Sequence, residues 1–315
     1  MNSFGKLVFC GTPQFAVPTL EKLAESGFDI CLVLTQPDRP KGRGLELVAS
    51  PVKEAALHRG IPVYQPDKIK QNEELRAKLQ EIAPAAIIVV GYGRIIPRWM
   101  LELPKYGNIN LHASLLPKYR GAAPIQWAIA RGESVTGVTT MRIDEGLDTG
   151  DILLQQEVGI ADEDTAETLS PKLAAIGAEL MIETLRGLAA DSIKPQRQNH
   201  AEATLAPVLK KEDGRIDFSR SAQEVYNRLR GFQPWPGAFT TFRGKILNIT
   251  AAKPSLEQAS QGQLLAKGDR LWVGGGGGTA LELFELQPEG KRRISARDFV
   301  HGYRPANGEV LGGKL

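Results

Sequence analysis

Asn110, His112 and Asp148 are the residues of this sequence whose types and spacing could carry proton-transfer chemistry. Asn110 and His112 alternate with apolar Ile109 and Leu111, so both polar side chains emerge on one face if this stretch is an extended strand. Asp148 follows later, in a loop flanked by glycines. An amide N–H group can bind a developing oxyanion, an imidazole can carry a proton at neutral pH, and a carboxylate can orient the imidazole or take the proton itself. These groups form a usable catalytic set if the fold brings them together.

The sequence around these residues decides between a structural and a catalytic interpretation. Taken alone, an Asn-x-His pair is more often a hydrogen-bonded pair at a strand end than part of an active site. Here, however, the motif NLH at 110–112 is followed by SLLP at 114–117, and Asp148 lies within GLDTG at 146–150. This combination resembles the signature of the folate-dependent formyltransferases.

Three longer runs extend the resemblance over nearly the whole chain. They are TQPDRPKGRG at 35–44, LPKYRGAAPIQWAI at 116–129 and WPGAFTTF at 235–242. These runs are similar to those of the family members that use methionyl-tRNA as the formyl acceptor. The resemblance implies a transferase that moves the formyl group of 10-formyltetrahydrofolate to the amino group of initiator methionyl-tRNA. The product, N-formylmethionyl-tRNA, would serve translation initiation.

The resemblance also implies a role for each of the three polar residues. Asn110 would donate to the developing oxyanion, and His112 would stabilise charge and could shuttle the proton. Asp148 would orient His112 and assist the transfer. No metal is required, and the sequence has no clustered His and Cys spacing of the kind that holds one.

The loop GYGRII at 91–96 follows the apolar run AAIIVV and is a candidate folate slot. Its glycines allow close backbone approach and its isoleucines supply an apolar wall, as a flat pterin ring needs. A plain glycine turn is the alternative interpretation. The resemblance implies that this loop, the SLLP run and the loop 144–148 hold the folate. The expected contacts are Gly91, Tyr92, Gly93, Arg94, Ile95, Ile96, Ser114, Leu115, Leu116, Pro117, Asp144, Gly146 and Leu147.

Alternating strand-like and helix-like segments predict the scaffold that positions these residues. The runs KLVFC, DICLVLTQ, IPVY and AAIIVV alternate with helical runs, one of which opens at Ser50-Pro51, a good cap followed by a good first helical residue. This order predicts an α/β fold with a Rossmann-like, doubly wound parallel sheet. The first turn, GTPQFA, lacks the G-x-G-x-x-G pattern, so we do not expect a dinucleotide cofactor.

The connection from Pro37 to Leu45 is longer than is usual between a strand and the following helix. Such loops lie at the carboxyl edge of the sheet, where ligands bind. Arg39, Lys41 and Arg43, interleaved with proline and glycine, predict a mobile positive finger at that edge. A solvated loop without a partner is the alternative. The resemblance implies that these residues contact the acceptor end of the tRNA.

The last third of the sequence differs in character from the rest. Short β-like runs separated by Gly, Asp and Pro turns surround one helical run, SAQEVYNRLRGF. A small barrel is the economical assembly, and the resemblance implies an OB-like one. We therefore predict a catalytic domain at 1–189, a linker at 190–205 and a smaller C-terminal domain at 206–315, which would contact tRNA.

Charge is distributed unevenly between these parts. Residues 1–205 hold 22 Lys and Arg against 25 Asp and Glu, whereas residues 206–315 hold 17 against 11. A basic module attached to a mildly acidic one favours contact with a polyanion, although ordinary solvated surface has the same composition.

Composition bounds the setting in which the protein works. The two cysteines, Cys10 and Cys31, lie in apolar runs and predict reduced, packed thiols of a cytoplasmic protein. No apolar run is long enough for a signal peptide or a membrane span, so we expect no membrane partner. We also expect a monomer.

Two rival functions remain at this point. The nearer is another formyl transfer or a hydrolysis on the same catalytic module, with a nucleotide-sugar amine or a small amine as the acceptor. The farther is an RNA-binding protein that carries a degenerate catalytic module. The basic C-terminal part and the Arg43 finger favour tRNA over the former. The presence of all three polar residues argues against the latter.

Overall fold

The computed structural model describes residues 4–41 and 46–313, with only the backbone of Lys41. These residues form two compact units. The first is made of the described residues up to Pro124, together with Val135–Gly159 and Ser170–Ala206. The second is made of Ile125–Ser134, Ile160–Leu169 and the described residues from Pro207 onward. The segment 190–205, expected as a linker, therefore packs as part of the first unit.

The first unit is built on a seven-stranded sheet and a separate two-stranded hairpin. Its strands are β1 (Lys6–Gly11), β2 (Asp29–Leu34), β3 (Arg39–Lys41), β4 (Glu46–Val48), β5 (Val63–Tyr64), β6 (Ala86–Val90), β7 (Asn108–His112), β8 (Val135–Arg142) and β9 (Ile152–Gly159). The sheet order is β5-β2-β1-β6-β7-β8-β9, while β3 and β4 pair only with each other.

The sheet is mixed, with a parallel part and an antiparallel edge. Strands β5, β2, β1, β6 and β7 are parallel, as predicted. Strand β8 is antiparallel to β7, and β9 is antiparallel to β8. The predicted parallel sheet did not include this antiparallel edge. Strand β9 is antiparallel to β8 because the chain between Arg142 and Ile152 is too short for the crossover connection that two parallel strands need.

Eight α-helices accompany the strands in the described residues. They are α1 (Val17–Glu25), α2 (Pro51–His58), α3 (Glu73–Ile82), α4 (Arg98–Leu101), α5 (Pro124–Ala130), α6 (Ala166–Ala189), α7 (Ala222–Gly231) and α8 (Ala296–Tyr303). The Ser50 hydroxyl accepts a hydrogen bond from the Lys53 amide at the start of α2, so the predicted cap is confirmed.

Helices cover both faces of the sheet, which confirms the doubly wound architecture. On one face, Val8 and Val89 of the strands share a buried cluster with Leu75 of α3. On the other face α6 packs closely, since a Cβ at Gly177 would lie 2.6 Å from the Leu111 side chain. Leu111 alternates with Asn110, which pairs with Val89, so the polar residues of β7 lie on the face of α3.

The second unit is an antiparallel sheet with its own apolar core. Its strands are β10 (Phe239–Phe242), β11 (Lys245–Ser255), β12 (Leu264–Lys267), β13 (Arg270–Gly274), β14 (Ala280–Pro288) and β15 (Ile294–Ser295), ordered β10-β11-β14-β13-β12 with β15 on β14. Its C-terminal segment bonds to both edge strands: Leu264 donates to the Glu309 carbonyl at 2.7 Å and Gly312 donates to the Thr241 carbonyl at 3.0 Å. This connection is consistent with the predicted OB-like barrel.

Two features bear on the expected setting. Cys10 and Cys31 are free thiols, and burial raises the pKa of each. Within the part of the chain that the structure describes, no helix is long and apolar enough to span a membrane.

Candidate active site

His112 ends strand β7 and is held by a main-chain carbonyl. Its Nε2 lies 2.9 Å from the Tyr119 carbonyl oxygen. A carbonyl can only accept, so Nε2 carries the hydrogen and Nδ1 is the proton-accepting atom of the neutral ring. Nδ1 lies 3.7 Å from Oδ2 of Asp148, longer than a hydrogen bond but close enough to stabilise a protonated ring. The exchangeable proton of this pair therefore belongs at Nδ1.

Asp148 is held from two sides in an uncommon backbone conformation. Its φ is +51°, a region that Asp tolerates better than most residues. Its Oδ2 accepts a hydrogen bond from the Gly121 amide at 2.8 Å, and its carbonyl accepts one from Gln198 Nε2 at 2.9 Å. These bonds aim the carboxylate at His112.

The loop that carries Asp148 is also closed on itself. Asp144 Oδ1 accepts from the Gly146 amide at 3.0 Å and from the Thr149 hydroxyl at 2.7 Å, which is an Asx-type turn. Gly150 leaves no room for a side chain, because a Cβ there would collide with the Arg142 carbonyl. These contacts give a physical reason for Gly146, Thr149 and Gly150 in the GLDTG motif.

Asn110 lies two residues before His112 on the same face of β7, as predicted. The side chain is partly exposed. Among residues 4–41 and 46–313 it makes no side-chain hydrogen bond, so its amide is free to donate to a ligand. A strand rises about 3.3 Å per residue, which puts the two side chains roughly 7 Å apart along β7.

The run 114–117 forms a turn close to His112 in the chain, with Ser114 and Leu116 buried and Leu115 and Pro117 half-buried. Thr139 donates from Oγ1 to the Ser114 carbonyl at 2.6 Å and accepts from the Leu116 amide at 3.2 Å. Gln155 donates to the Leu116 carbonyl at 2.9 Å. These bonds hold the turn that leads to Tyr119, so they help to place the acceptor for His112. Contact of Ser114, Leu115, Leu116 and Pro117 with folate stays a prediction.

The loop 91–96 divides into an anchored half and an exposed half. The Tyr92 ring and the Ile96 side chain are buried in the core on the α3 face. Gln36 donates to the Tyr92 carbonyl at 2.9 Å, and Arg94 donates to the Asp67 carbonyl. These side chains anchor the loop from the protein side, so its solvent-facing surface stays available to a ligand.

The exposed half has the properties of a binding wall. Gly91 and Gly93 have φ of +56° and +73° with exposed backbone, and Ile95 is 90% exposed. Leu147, next to Asp148, is 63% exposed. Large apolar side chains this exposed on two loops beside one site are candidates for contact with an apolar ligand.

The described part of the basic finger includes strand β3, which pairs with β4, and its base is anchored. Asp38 pairs with Lys53 at 2.6 Å and accepts from Gln65 at 2.7 Å, and these bonds lower the pKa of the Asp38 carboxyl. Arg39 is exposed and donates to Gln36. The side chain of Lys41 and the whole of Arg43 lie outside the described residues.

Several residues that hold the site were not predicted. They are Arg120 and Gln198, both buried, with Tyr119, Thr139, Gln155 and Thr204. Arg120 lies in the resembling run KYRG, but Gln198 lies in a polar stretch without periodicity, so no local signal marks it. In the described part of the chain, no three His, Cys, Asp or Glu residues are grouped to hold a metal ion.

Sequence comparison gives two family matches and many relatives. A model of the family described as "Formyl transferase" matches residues 5–185, and one described as "Formyl transferase, C-terminal domain" matches residues 208–304. A methionyl-tRNA formyltransferase of Koribacter versatilis is 65% identical over 97% of this chain and 98% of its own. One of Acidobacterium capsulatum is 61% identical over 94% of this chain and 96% of its own.

Solved structures share the fold. An N-formyltransferase from Helicobacter canadensis, in complex with folinic acid and dTDP-3-aminofucose, has a TM-score of 0.67 at 21% identity, over 90% of this chain and 99% of its own. A phosphoribosylglycinamide formyltransferase from Bacillus halodurans has a TM-score of 0.50 at 28% identity, over 59% of this chain and 96% of its own.

Proposed function

Because the chain belongs to the formyl transferase family, we propose that it moves the formyl group of 10-formyltetrahydrofolate to the amino group of initiator methionyl-tRNA. The observation that carries the proposal is the pairing of His112 Nδ1 with Asp148 at 3.7 Å, beside an Asn110 amide that is unbonded among the described residues. The relatives at 61–65% identity support methionyl-tRNA as the acceptor. We place this reaction in the cytoplasm, where translation begins, and assign it to a monomer.

We propose a task for each polar group from its position in the site. The methionyl amine would attack the formyl carbon of the donor. The bond from that carbon to N10 would break, and the proton lost by the amine would pass to N10, so that tetrahydrofolate leaves. Asn110 donates its N–H to the oxygen on which negative charge develops. Nδ1 of His112 takes up the amine proton, and the resulting charge is stabilised by Asp148 and by the Tyr119 carbonyl. Asp148 cannot leave this position easily, since Gly121 and Gln198 hold it.

The residues present fit a folate at this edge. A pterin needs an apolar wall and main-chain groups at its polar edge. Ile95 and Leu147 supply exposed apolar surface, and the backbone at Gly91 and Gly93 is exposed. We infer that these four residues would hold the ring, while Tyr92 and Ile96 act from the core to fix the loop.

Ile95→Ser should weaken folate binding about 10-fold or more, because one large apolar contact is lost. The side chain is 90% exposed, so folding should not suffer. Gly91→Val is a poorer test, since a Cβ there would lie 2.8 Å from Pro13 and strain the loop. The measurement is calorimetric titration with folate analogue and filter binding with tRNA.

A matched control for Ile95 is Leu256→Ser, which also removes a fully exposed apolar side chain. We expect unchanged folate affinity in the control and unchanged tRNA affinity in both variants. Equal folate affinity in Ile95→Ser and wild type would remove this loop from the folate site.

The tRNA should be bound in part by the finger that includes Arg39 and Arg43. Arg43→Ala should lower tRNA affinity and reduce the slope of log affinity against log salt by about one, as expected for one lost phosphate contact. It should also lower turnover, since the sequence predicts the finger at the carboxyl edge of the sheet, where the substrates would bind. Filter binding across a salt series measures the slope.

The control for Arg43 is Arg186→Ala, which removes an exposed positive charge from α6. Its salt slope should match that of the wild type. Identical slopes in all three proteins would exclude Arg43 from the interface.

The direct test of the proposed function offers purified protein 10-formyltetrahydrofolate with one acceptor at a time. The acceptors are charged initiator tRNA, free methionine, a nucleotide-sugar amine and water. We expect formylated product from the tRNA alone. Product from the sugar amine, or release of formate without an acceptor, would replace the proposal by one of the rival functions.

A further inference from the structure

The segment 196–206, here called the closing segment, bonds to the catalytic loops at both of its ends. Near its start, Gln196 exchanges two backbone hydrogen bonds of 2.8 Å with Ile152, the first residue of β9, which follows the loop that carries Asp148. Near its end, Arg120 donates to the Thr204 carbonyl at 2.8 Å and accepts from Ala206 at 2.7 Å. Main-chain hydrogen bonds therefore fix both ends of the closing segment. The residues between these ends are held next to the catalytic loops.

Gln198, within the closing segment, links three groups that only its amide can satisfy together. Its Nε2 donates to the carbonyls of Asp148 at 2.9 Å and Gly150 at 2.7 Å. Its Oε1 accepts from Arg120 Nε at 3.0 Å and Nη2 at 2.6 Å. Carbonyls only accept hydrogen bonds and a guanidinium only donates them. The Gln198 amide must therefore point Nε2 at the two carbonyls and Oε1 at Arg120, and all four bonds depend on this orientation. The side chain is 6% exposed, so water does not replace these partners.

Arg120 connects the two supports of Asp148. It is 7% exposed, and its guanidinium contacts Gln198 and, at 3.2 Å, His200 Nδ1. Within the described residues no carboxylate pairs with it. Its chain neighbour Gly121 donates to the Asp148 carboxylate. A buried cation bonded to a neutral amide oxygen orients that amide strongly, so Arg120 aims the Gln198 donors at the Asp148 loop.

The same segment also supports His112. Thr204 Oγ1 accepts from the Tyr119 amide at 2.9 Å, and the Tyr119 carbonyl accepts from His112 Nε2 at 2.9 Å. Residues of the closing segment thus hold both members of the proton-transfer pair: Gln198 bonds Asp148 directly, and Thr204 supports His112 through Tyr119.

We propose that Gln198 is a positioning residue for formyl transfer: its amide, aimed by Arg120, fixes the Asp148 backbone so that the carboxylate faces His112 Nδ1. This inference rests on the proposed function and adds to it a residue outside the catalytic motifs. The left-handed backbone of Asp148 makes such support necessary, because that conformation persists only where the surroundings impose it.

The test is Gln198→Glu, a change of nearly equal shape. The carboxylate still accepts from Arg120, but it cannot donate and faces the carbonyls of Asp148 and Gly150. We expect kcat to fall about 10- to 100-fold, as for other small misplacements of a catalytic group, with KM for folate and tRNA within about threefold of wild type. The control is Gln196→Glu, the same chemical change on an exposed side chain of the same segment, which should retain wild-type kcat.

Two further variants distinguish positioning from general loss of structure. Gln198→Met removes the contacts to Arg120 as well; if Gln198→Glu were active and only Gln198→Met impaired, the donors to the Asp148 loop would not matter and the proposal would fail. In an Asp148→Asn background, Gln198→Glu should have little added effect, since it acts through Asp148. Full additivity there would also overturn the proposal.

Folate-binding stoichiometry separates misplacement from misfolding. A partly unfolded preparation loses stoichiometry and kcat together, whereas a misplaced loop loses kcat alone, and we expect the second result. Failure of the proposed function is distinguishable, because the wild-type protein would then form no formylated tRNA at all. A wild-type protein that is active, with Gln198→Glu equal to it, contradicts only the positioning role.

Discussion

Replacing His112 by alanine should lower the turnover of formyl transfer by about 10³-fold, because we propose that its Nδ1, 3.7 Å from Asp148 Oδ2, takes up the amine proton. The neighbouring groups cannot substitute for it. The Tyr119 carbonyl is too weak a base to take up the proton. The Asp148 carboxylate already accepts from the Gly121 amide through Oδ2, and Gln198 holds the Asp148 main-chain carbonyl. Folate and tRNA affinities should change little, since the imidazole binds no part of either in this scheme. Single-turnover formylation, with affinities measured separately, checks this prediction.

Two controls sharpen the His112 experiment. His112→Asn can still donate to the Tyr119 carbonyl but cannot carry the proton, so we expect a loss close to that of the alanine variant. His58→Ala removes an exposed histidine from α2 and should have wild-type turnover. Near wild-type turnover in a well-folded His112→Ala protein would exclude the proposed proton route.

His112 and Asp148 should also act as one unit. The double variant His112→Ala, Asp148→Asn should be little slower than His112→Ala alone, because the carboxylate works through the imidazole. Asn is the appropriate replacement, since it tolerates the left-handed backbone of position 148 and can accept from the Gly121 amide. Independent losses that multiply would mean that Asp148 contacts the reacting groups by another route.

Asn110→Ala should lower turnover by about 10²- to 10³-fold, the cost of removing one donor to a developing oxyanion. The amide is partly exposed and unbonded among the described residues, so its removal leaves no orphaned partner in the fold. The effect should fall on kcat, since the donor is most valuable in the transition state. Asn110→Asp should be slower still, because it places a negative charge where negative charge develops.

The contrast for Asn110 is Asn108, on the same face of the same strand. Asn108 is buried and donates to the Met100 carbonyl at 2.9 Å, so Asn108→Ala should lower the melting temperature and leave most of kcat. Calorimetric melting and steady-state kinetics on both variants separate the two roles. The oxyanion role would be contradicted if Asn110→Ala changed the melting temperature but not kcat.

The sequence alone predicted those features that depend on neighbouring residues. Two-residue alternation predicted that Asn110 and His112 share one face of β7, because strand geometry fixes that relation. The cap at Ser50 and the order of strands and helices were likewise predicted correctly. Resemblance supplied the reaction class, which the comparisons then showed for the family.

Tertiary structure decided which residues support the site and which do not face it. Tyr92 lies in the expected folate loop, yet its ring is in the core. A side chain in a loop next to buried strands can point either into the core or into solvent, and the local sequence does not decide which. Gln198 lies in a stretch expected to be a linker, yet it bonds to Asp148, fifty residues away along the chain. Local patterns report only on neighbours within a turn or two. A hydrogen bond between distant segments depends on where the whole fold places their backbones.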